Sequence, residues 1–337
     1  MKAVVIGLGD ISAVHLAAIA AIPGTVLAAG CDTDKRRQEV LPQGASFFTD
    51  YREMLSAVKP DVVHICLPHY LHYPVARDTA EAGYNIFAEK PLAMDYKEGL
   101  EYAALEKAAG VKICICLQNR RNPSSEKLME ILAGGEFGAV TGVRGLVAWK
   151  RGKAYYEAKP WRGIMAQAGG GNMINQALHT LDLIQYFARS PIKDVKGSIS
   201  QILDYDIEVE DTASASIRFE SGISGLFNGS NANSRDVPAE IEVSCEKAVF
   251  TIRYQTLYQR IEGEESILVR DRSPSAGKSV YGNSHQKLIA QFYHVLETGQ
   301  GEYIHPQDAL PVTWLIDAIR QSSESGKTVV FQRRSAD

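Results

Sequence analysis

Short apolar runs alternate with helical patterns through the first 118 residues of the chain. The six runs lie at residues 2–6, 26–31, 45–48, 62–67, 84–88 and 111–117. Segments of about ten residues with helical spacing separate most of them. This alternation predicts a parallel, doubly wound α/β sheet in a first domain that spans residues 1–118.

The pattern changes after Gln118 to one helix at 124–132 followed by longer strands. Strands are predicted at 140–149, 213–219, 223–227, 241–245 and 249–254, and closing helices at 284–298 and 306–323. Apolar and acidic residues alternate through 240–246, so one face of that strand is apolar. The sequence predicts an α+β domain spanning 119–337 with a mostly antiparallel sheet, whose uncovered face is a predicted subunit interface.

Four short polar residues form a stripe along the apolar helix that follows Gly169, Gly170 and Gly171. Their spacing of i, i+3, i+7 and i+10 places them on one helical face, and they are Asn172, Asn175, His179 and Asp182. The solvent-exposed face of an amphipathic helix would also produce such a stripe. The predicted exposed helix at 95–109 carries several Lys and Glu residues, whereas this stripe has no long charged side chain. We therefore expect a functional site here.

Composition argues for a water-soluble enzyme. The 337 residues contain 36 Lys+Arg and 40 Asp+Glu, which gives no reason to expect a nucleic-acid or anionic-membrane partner. Neither a signal peptide nor a membrane span fits the first strand and helix, so we expect a cytoplasmic protein. The five cysteines lie in apolar runs without C-x-x-C spacing, which predicts buried reduced thiols and no structural metal.

The first strand ends in a glycine-rich turn that leads into a helix. Gly7 would allow the tight turn, and Gly9 would let the backbone approach a pyrophosphate beside the helix N-terminus. Asp10 and Ile11 complete the predicted loop. This strand, turn and helix predict a dinucleotide site.

Asp32 ends the second strand, where a carboxylate can accept hydrogen bonds from the adenosine ribose. A 2′-phosphate would meet like charge there, so NAD is favoured over NADP. Three basic residues follow Asp32 and leave NADP binding open, namely Lys35, Arg36 and Arg37. They would line the adenine pocket, bind that phosphate or form a solvated helical turn.

Two more turns follow predicted strands at the edge where ligands of such sheets bind. In the first, Pro68 ends the strand, and His69 and His72 either face the crevice or cap a helix. In the second, Lys90 lies between Glu89 and a proline that restricts it to extended geometry. A solvated lysine is common at a strand end, but the position beside the expected nicotinamide favours a catalytic Lys90.

Together these motifs resemble the family of glucose–fructose oxidoreductase, inositol dehydrogenase and rhizopine-catabolism oxidoreductases. The resemblance rests on the glycine loop, the Cys66–His72 turn, the Glu89-Lys90-Pro91 motif and the GGG…His helix at 169–182. It implies a Rossmann domain, an α+β domain with a large open sheet, and NAD(P)-dependent chemistry at a sugar or cyclitol carbon. It also implies a homodimer or homotetramer. Two departures are Leu67 in place of threonine, and Asn175 where many members have aspartate.

The resemblance and the motifs together predict catalytic, cofactor-binding and substrate-binding residues. Lys90 and His179 are the predicted catalytic pair: the histidine removes the hydroxyl proton and the lysine stabilises the developing alkoxide. Asp182 either orients His179 or pairs locally. The predicted cofactor-binding residues are Gly7, Gly9, Asp10, Ile11, Asp32, Pro68, His72, Glu89 and Lys90.

A basic and aromatic segment at 150–168 precedes the polar stripe and suggests a sugar site. Aromatic rings can cover the apolar face of a pyranose. Tyr156, Trp161 and Arg162, with Asn175, are the predicted substrate-binding residues, unless these aromatics pack into the core or against another subunit.

Two alternative functions stay open at this point. One is reduction of an imine, enone or dihydrodiol-type substrate, and the other is a non-catalytic NAD(P)-binding sensor or regulator. The presence of both Lys90 and His179 favours an enzyme.

Overall fold

The computed structural model describes residues 1–271 and 284–331, which divide into two compact units. The first unit contains Met1–Gln118 and Ser273–Leu310, and the second contains Asn119–Arg272 and Pro311–Asp337. The division after Gln118 lies where the apolar pattern changes. The predicted division assigned all of residues 119–337 to the second domain. The structure instead assigns Ser273–Leu310 to the first unit.

Six parallel strands form the sheet of the first unit. They are β1 (Lys2–Ile6), β2 (Val26–Cys31), β3 (Ser46–Phe48), β4 (Val62–Ile65), β5 (Asn85–Ala88) and β6 (Ile113–Ile115). Their order is β3-β2-β1-β4-β5-β6, as the doubly wound pattern predicts. The chain direction across the sheet reverses between β1 and β4, and ligands of such sheets bind at the carboxyl ends of the strands beside this reversal.

Helices connect these strands. They are α1 (Ser12–Ala20), α2 (Tyr51–Val58), α3 (His72–Glu81) and α4 (Tyr96–Ala109), with 3₁₀ turns at Lys35–Val40 and His69–Leu71. Asp95 caps α4 by accepting a hydrogen bond from the Glu98 amide. The helix Ser284–Thr298, which has the predicted bounds, also belongs to this unit because buried Phe292 and Tyr293 pack against the sheet.

Nine strands form the sheet of the second unit. In chain order they are β7 (Val140–Ala148), β8 (Ile192–Ser200), β9 (Thr212–Phe219), β10 (Ser224–Ser230), β11 (Glu240–Cys245), β12 (Val249–Arg253), β13 (Thr256–Ile261), β14 (Glu264–Arg270) and β15 (Val329–Val330). Their order is β14-β13-β12-β11-β7-β10-β9-β8-β15, and within the described part of this sheet only β7 and β10 pair in parallel. Burial alternates along β11, as the period of two predicts.

The helices of the second unit begin with a 3₁₀ turn at Gln118–Arg121 and the helix α5 (Pro123–Gly134). The 150–168 segment contains α6 (Lys153–Glu157), a 3₁₀ turn (Pro160–Gly163) and α7 (Met165–Ala168). The predicted continuous helix after the glycines is instead a π-helical turn, Asn172–Gln176, followed by α8 (Leu178–Ala188). The Ser284–Thr298 helix is α9, and α10 (Pro306–Ser325) runs across the division between the units.

All five cysteines are free and buried, as predicted. Of the helices in the described ranges, none has the length and apolar character that crossing a membrane requires.

Candidate active site

The glycine turn after β1 is held closely against the neighbouring strand ends. Gly7 has a φ of +89°, and a Cβ at this position would lie 2.4 Å from the carbonyl oxygen of Cys66. A side chain at position 7 is therefore excluded both by its backbone conformation and by space. Helix α1 then begins after Ile11, and no side chain caps it. Its amide end is accordingly suited to an anion such as a pyrophosphate.

The Gly9 to Ile11 part of this turn lies at the surface. Gly9 and Ile11 are half-buried and Asp10 is exposed. The Ser12 hydroxyl donates to the Gly9 carbonyl at 2.6 Å and so closes the turn. The turn therefore leaves its backbone partly exposed, which is compatible with the predicted phosphate loop.

Asp32 supports this turn from the end of β2. Its Oδ2 accepts from the Leu8 amide at 2.8 Å and its Oδ1 accepts from the Asp34 amide at 2.9 Å. The carboxylate is half-buried, and ionised oxygens can accept more than one hydrogen bond each, so a ribose hydroxyl can still bind it.

Arg36, which could have bound a 2′-phosphate, pairs with Asp34. Its Nε donates to Oδ1 at 2.9 Å and its Nη2 donates to Oδ2 at 2.8 Å. The guanidinium holds the pKa of Asp34 below its ordinary value. Two carboxylates therefore follow β2, and one arginine is already paired, which fits NAD better than NADP.

His72 joins the turns after β4 and β5. Its Nε2 lies 2.8 Å from the Leu67 carbonyl oxygen, and its Nδ1 lies 2.8 Å from the Pro91 carbonyl oxygen. The ring is buried, and burial lowers its pKa. Pro68, half-buried, starts the 3₁₀ turn between β4 and α3. This arrangement corrects the predicted role of His72 as a cofactor-binding side chain: the residue instead bridges the two loops that carry Pro68 and Lys90.

Glu89 points into the interior, which corrects its predicted role as a cofactor-binding side chain. It is 6% exposed, and its Oε1 lies 3.0 Å from His15 Nε2 and 3.4 Å from His285 Nε2. Its Oε2 accepts weakly from the Lys90 amide at 3.3 Å. Because burial alone would raise the pKa of Glu89, the hydrogen bonds from the two histidines are what hold it well below the ordinary value.

A thiol completes the surroundings of Glu89. Ligand atoms of Glu89, Cys116 and His285 lie within 4.8 Å of one another, and all three residues are buried. Burial raises the pKa of the Cys116 thiol well above its ordinary value. His15 and His285 both approach Glu89 Oε1, so the arrangement is that of a hydrogen-bonded carboxylate. Its members are far apart in the chain, so no local sequence pattern indicates this cluster.

Lys90 follows β5 at the carboxyl edge of the sheet. It is half-buried, and a cis peptide bond joins it to Pro91. Its backbone is tied to Glu89 on one side, and His72 contacts the Pro91 carbonyl on the other. The lysine thus lies on a turn that is held from both sides.

The glycine run in the second unit is packed against Glu210. A Cβ on Gly171 would lie 1.8 Å from the Glu210 carbonyl oxygen, so only glycine fits. The Glu210 carboxylate accepts from the amides of Gly171 at 2.9 Å and Met173 at 3.0 Å. These bonds hold the start of the π-helical turn, in which the Ala177 amide donates to the Asn172 carbonyl at 2.8 Å.

The structure separates the four stripe residues into two pairs. Asn172 and Asp182 are 0% and 1% exposed. Asn172 donates to Asn231, and Asp182 pairs with Arg120. Asn175 and His179 are half-buried, and they are the two residues of 171–180 that are not fully buried. Within the stripe, only this second pair retains exposure to solvent.

Tyr155 is the aromatic residue beside Asn175, and the predicted Tyr156 is not. Tyr156 is 6% exposed, and its hydroxyl accepts from Asn231 at 3.4 Å. The Tyr155 hydroxyl instead accepts from Asn175 at 3.2 Å and from Gln176 at 2.7 Å. The two neighbouring tyrosines sit at right angles, and which one is buried depends on packing that the sequence does not reveal.

Two arginines flank the Tyr155 ring. The Arg162 guanidinium carbon lies 4.2 Å from the ring centroid and that of Arg151 lies 5.5 Å from it. Trp161 and Arg162 are half-buried, with the guanidinium 6.0 Å from the indole ring. Arg162, Trp161 and Tyr155 therefore form one aromatic and cationic surface, which includes two of the three residues predicted from this segment.

Known protein families match both units of the chain. A family model described as an oxidoreductase family with an NAD-binding Rossmann fold matches residues 1–116, and one described as the GFO/IDH/MocA C-terminal domain matches residues 125–251. D-glucoside 3-dehydrogenase of Escherichia coli is 25% identical, over 98% of this chain and 97% of its own. Myo-inositol 2-dehydrogenase of Thermotoga maritima is 22% identical, over 98% of this chain and 99% of its own.

A solved structure shares the fold across nearly the whole chain. The WlbA dehydrogenase of Bordetella pertussis, in complex with NADH and UDP-GlcNAcA, aligns with a TM-score of 0.85 and 24% identity. The alignment covers 99% of each chain. The family match over residues 1–116 identifies the first unit as an NAD-binding Rossmann domain.

Proposed function

Because the chain belongs to the Gfo/Idh/MocA family of oxidoreductases, we propose that it transfers a hydride between NAD and a carbinol or carbonyl carbon of a sugar or cyclitol. Two relatives of nearly full length are by name dehydrogenases of a glucoside and of an inositol. Both compounds are rings with several hydroxyl groups. The polar and aromatic surface of the second unit offers the kinds of side chain that such rings require.

The shared exposure of Asn175 and His179 carries this proposal. In a ten-residue stretch that is otherwise buried, these two polar side chains alone retain exposure. One can both donate and accept hydrogen bonds, and the other can take up a proton near neutral pH. A structural helix face has no need of this combination.

The cofactor fits residues of the first unit. The Gly7–Ile11 turn and the uncapped end of α1 would hold the pyrophosphate, and Asp32 would accept the adenosine ribose hydroxyls. When bound, NAD supplies the nicotinamide that accepts or returns the hydride.

Lys90 and His179 would handle the proton of the reacting hydroxyl. His179 would remove it during oxidation, and Lys90 would hydrogen-bond the same oxygen and stabilise its developing negative charge. Asn175 would hold a neighbouring hydroxyl. In the reductive direction His179 would return the proton.

Tyr155, Trp161 and Arg162 would form the binding surface for the ring. Tyr155 is fixed by Asn175, Gln176 and the two arginines, so it loses little freedom when a sugar binds. An aromatic face covers apolar C–H groups, and Arg162 can pair with an anionic substituent on the sugar.

A substrate panel tests the reaction. Polyols, aldoses, uronic acids and amino sugars would be supplied with NAD, and NADH absorbance followed, with the Lys90→Ala and His179→Ala variants as controls. We expect turnover of at least one ring polyol by the wild-type protein and a large loss in both variants. Turnover confined to imine, enone or dihydrodiol substrates would replace the CH–OH assignment, and binding of NAD without any turnover would favour a sensor.

We further propose that the protein is a homodimer or homotetramer that uses the outer face of the second unit's sheet. Burial alternates along β9 and β10, and Leu226 on the outward face is 48% exposed. Light scattering of the wild type and of Leu226→Glu tests this. A monomeric wild type, or a variant of unchanged size, would contradict the proposed interface.

A further inference from the structure

A chain of three buried hydrogen bonds leads to Glu89 inside the first unit. The Tyr293 hydroxyl lies 2.8 Å from His64 Nε2, and His64 Nδ1 lies 2.8 Å from His15 Nδ1. His15 Nε2 then lies 3.0 Å from Glu89 Oε1. The two histidines are 0% exposed and the tyrosine 1%. The chain connects α9, β4, α1 and the end of β5.

The carboxylate at one end determines which atom donates at each step. An ionised Glu89 can only accept, so His15 Nε2 must carry a proton. A neutral His15 then accepts at Nδ1, His64 must donate from Nδ1, and His64 Nε2 must accept from the tyrosine hydroxyl. All donations therefore run toward Glu89.

Two other assignments of protons would either break a hydrogen bond of this chain or place a positive charge on His15. If His15 donated from Nδ1 as a neutral ring, its Nε2 lone pair would face the Glu89 carboxylate. If His15 were an imidazolium, His64 would instead have to donate to the tyrosine. Burial lowers the pKa of His15 and lowers that of His64 well below its ordinary value, which favours neutral rings. Burial also raises the pKa of Tyr293, so its hydroxyl keeps the proton that it donates.

Charged and titratable groups meet Glu89 from each neighbouring element. His15 approaches from α1, His285 from α9 and Cys116 from the residue after β6. Lys90, next in the chain, donates its amide to the other carboxylate oxygen at 3.3 Å. Glu89 is thus held by several donors, and the backbone of the proposed catalytic lysine is among them.

We propose that His15 and His64 are positioning residues for Lys90: with Tyr293 they form a directed chain of hydrogen bonds that holds Glu89 as a fixed carboxylate behind the lysine. The chain acts through Glu89 and touches no substrate. The chain has two consequences. It holds the Lys90 backbone through the Glu89 carboxylate, and it keeps a negative charge on the residue next to Lys90, which favours the lysine ammonium ion. The catalytic part of this inference rests on the proposed function.

Nitrogen-15 spectra of the histidine rings test the chain without any turnover. Long-range ¹H–¹⁵N correlations distinguish the two neutral tautomers and the imidazolium. We expect the proton of His15 on Nε2 and that of His64 on Nδ1 from pH 6 to pH 8. An imidazolium at His15, or the opposite tautomer at either ring, would overturn the directed chain. Stoichiometric zinc in the purified protein, bound through Cys116 and His285, would overturn it as well.

The action on Lys90 is tested by its own titration, read from ¹³C-methylated lysines and assigned with Lys90→Arg. In Glu89→Gln we expect the Lys90 titration to move to lower pH, because a neighbouring negative charge is lost. His15→Leu should move it in the same direction, and His15→Gln, which keeps a donor, should restore it. An unmoved titration in Glu89→Gln would overturn the proposal even if the enzyme turns over sugars.

Glu106 supplies a matched control in the same unit. Its carboxylate accepts from the Tyr303 hydroxyl at 2.6 Å, and its Oε2 lies 2.7 Å from His305 Nδ1. Glu106→Gln therefore removes a similarly bonded carboxylate that is near the start of β6 instead of beside Lys90. It should leave the Lys90 titration in place, and a shift as large as that of Glu89→Gln would show a general effect of charge loss.

Discussion

Asp182 is held by Arg120 in a two-point ion pair. Arg120 Nε donates to Oδ2 at 2.8 Å and Nη2 donates to Oδ1 at 2.6 Å. The side chains are 9% and 1% exposed, so the pair is almost fully removed from water. This assigns Asp182 to local pairing, one of the two roles that its helical spacing allowed, and leaves Asn175 as the stripe residue that shares exposure with His179.

Asp182→Asn should lower the free energy of unfolding by about 3–5 kcal/mol, because it leaves the Arg120 charge buried without its carboxylate. Urea unfolding measures this loss. The double variant Arg120→Met with Asp182→Leu should recover most of it, since no buried charge is left. A marginal effect of Asp182→Asn would mean that Arg120 reaches water when its partner is removed.

Lys90→Ala should lower kcat by about two to four orders of magnitude, since it removes a positioned proton-transfer or oxyanion group. The NAD dissociation constant should change little, and titration calorimetry measures it. Lys97→Ala on the exposed side of α4 is the matched control and should retain activity. Near-normal turnover in Lys90→Ala would remove the lysine from the mechanism.

The wild type should prefer NAD over NADP in kcat/KM, because Asp32 accepts ribose hydroxyls and repels a 2′-phosphate. Asp34→Ala frees Arg36 and should raise the relative kcat/KM for NADP by roughly threefold to tenfold. Adding Arg36→Ala should cancel that gain. A wild-type preference for NADP would show that the basic residues after β2 outweigh both carboxylates.

Asn175→Asp should move the acidic limb of kcat/KM for oxidation to higher pH. A carboxylate near His179 stabilises its imidazolium, so deprotonation to the active base then requires a higher pH. Ser221→Asp, in the exposed turn between β9 and β10, adds the same charge elsewhere in this unit and should leave the limb in place. A limb that persists in His179→Ala would assign the ionisation to another group.

Stability should fall on mild acidification because three histidines of the first unit are buried with lowered pKa values. They are His15, His64 and His72. Below about pH 6.5 the unfolded chain binds protons that the folded chain does not, so unfolding becomes easier as pH decreases toward the folded pKa values. Each histidine contributes up to about 1.4 kcal/mol per pH unit.

Amide hydrogen exchange of β1 and β4 measures this dependence within the first unit. His64→Gln should reduce the slope by the share of one histidine, whereas His294→Gln, at an exposed position of α9, should leave it unchanged. A slope that is the same in wild type and His64→Gln would show that His64 binds a proton in the folded state.

Local patterns in the sequence determined the elements and the backbone of the cofactor loop. The period of two in β11, the bounds of α9 and the order of strands and helices before Gln118 follow from residues that are close in the chain. Gly7 is predictable for the same reason, because its turn needs a positive φ whatever surrounds it.

Only the tertiary structure decided which polar side chains face a ligand. The π-helical turn before α8 changed the predicted stripe, and packing buried Tyr156 while leaving Tyr155 beside Asn175. Glu89 lies in the interior because it contacts His15 and His285, which are 74 and 196 positions away in the chain. Side-chain period and turn chemistry depend on near neighbours, whereas burial and hydrogen-bond partners depend on segments that meet only when the chain folds.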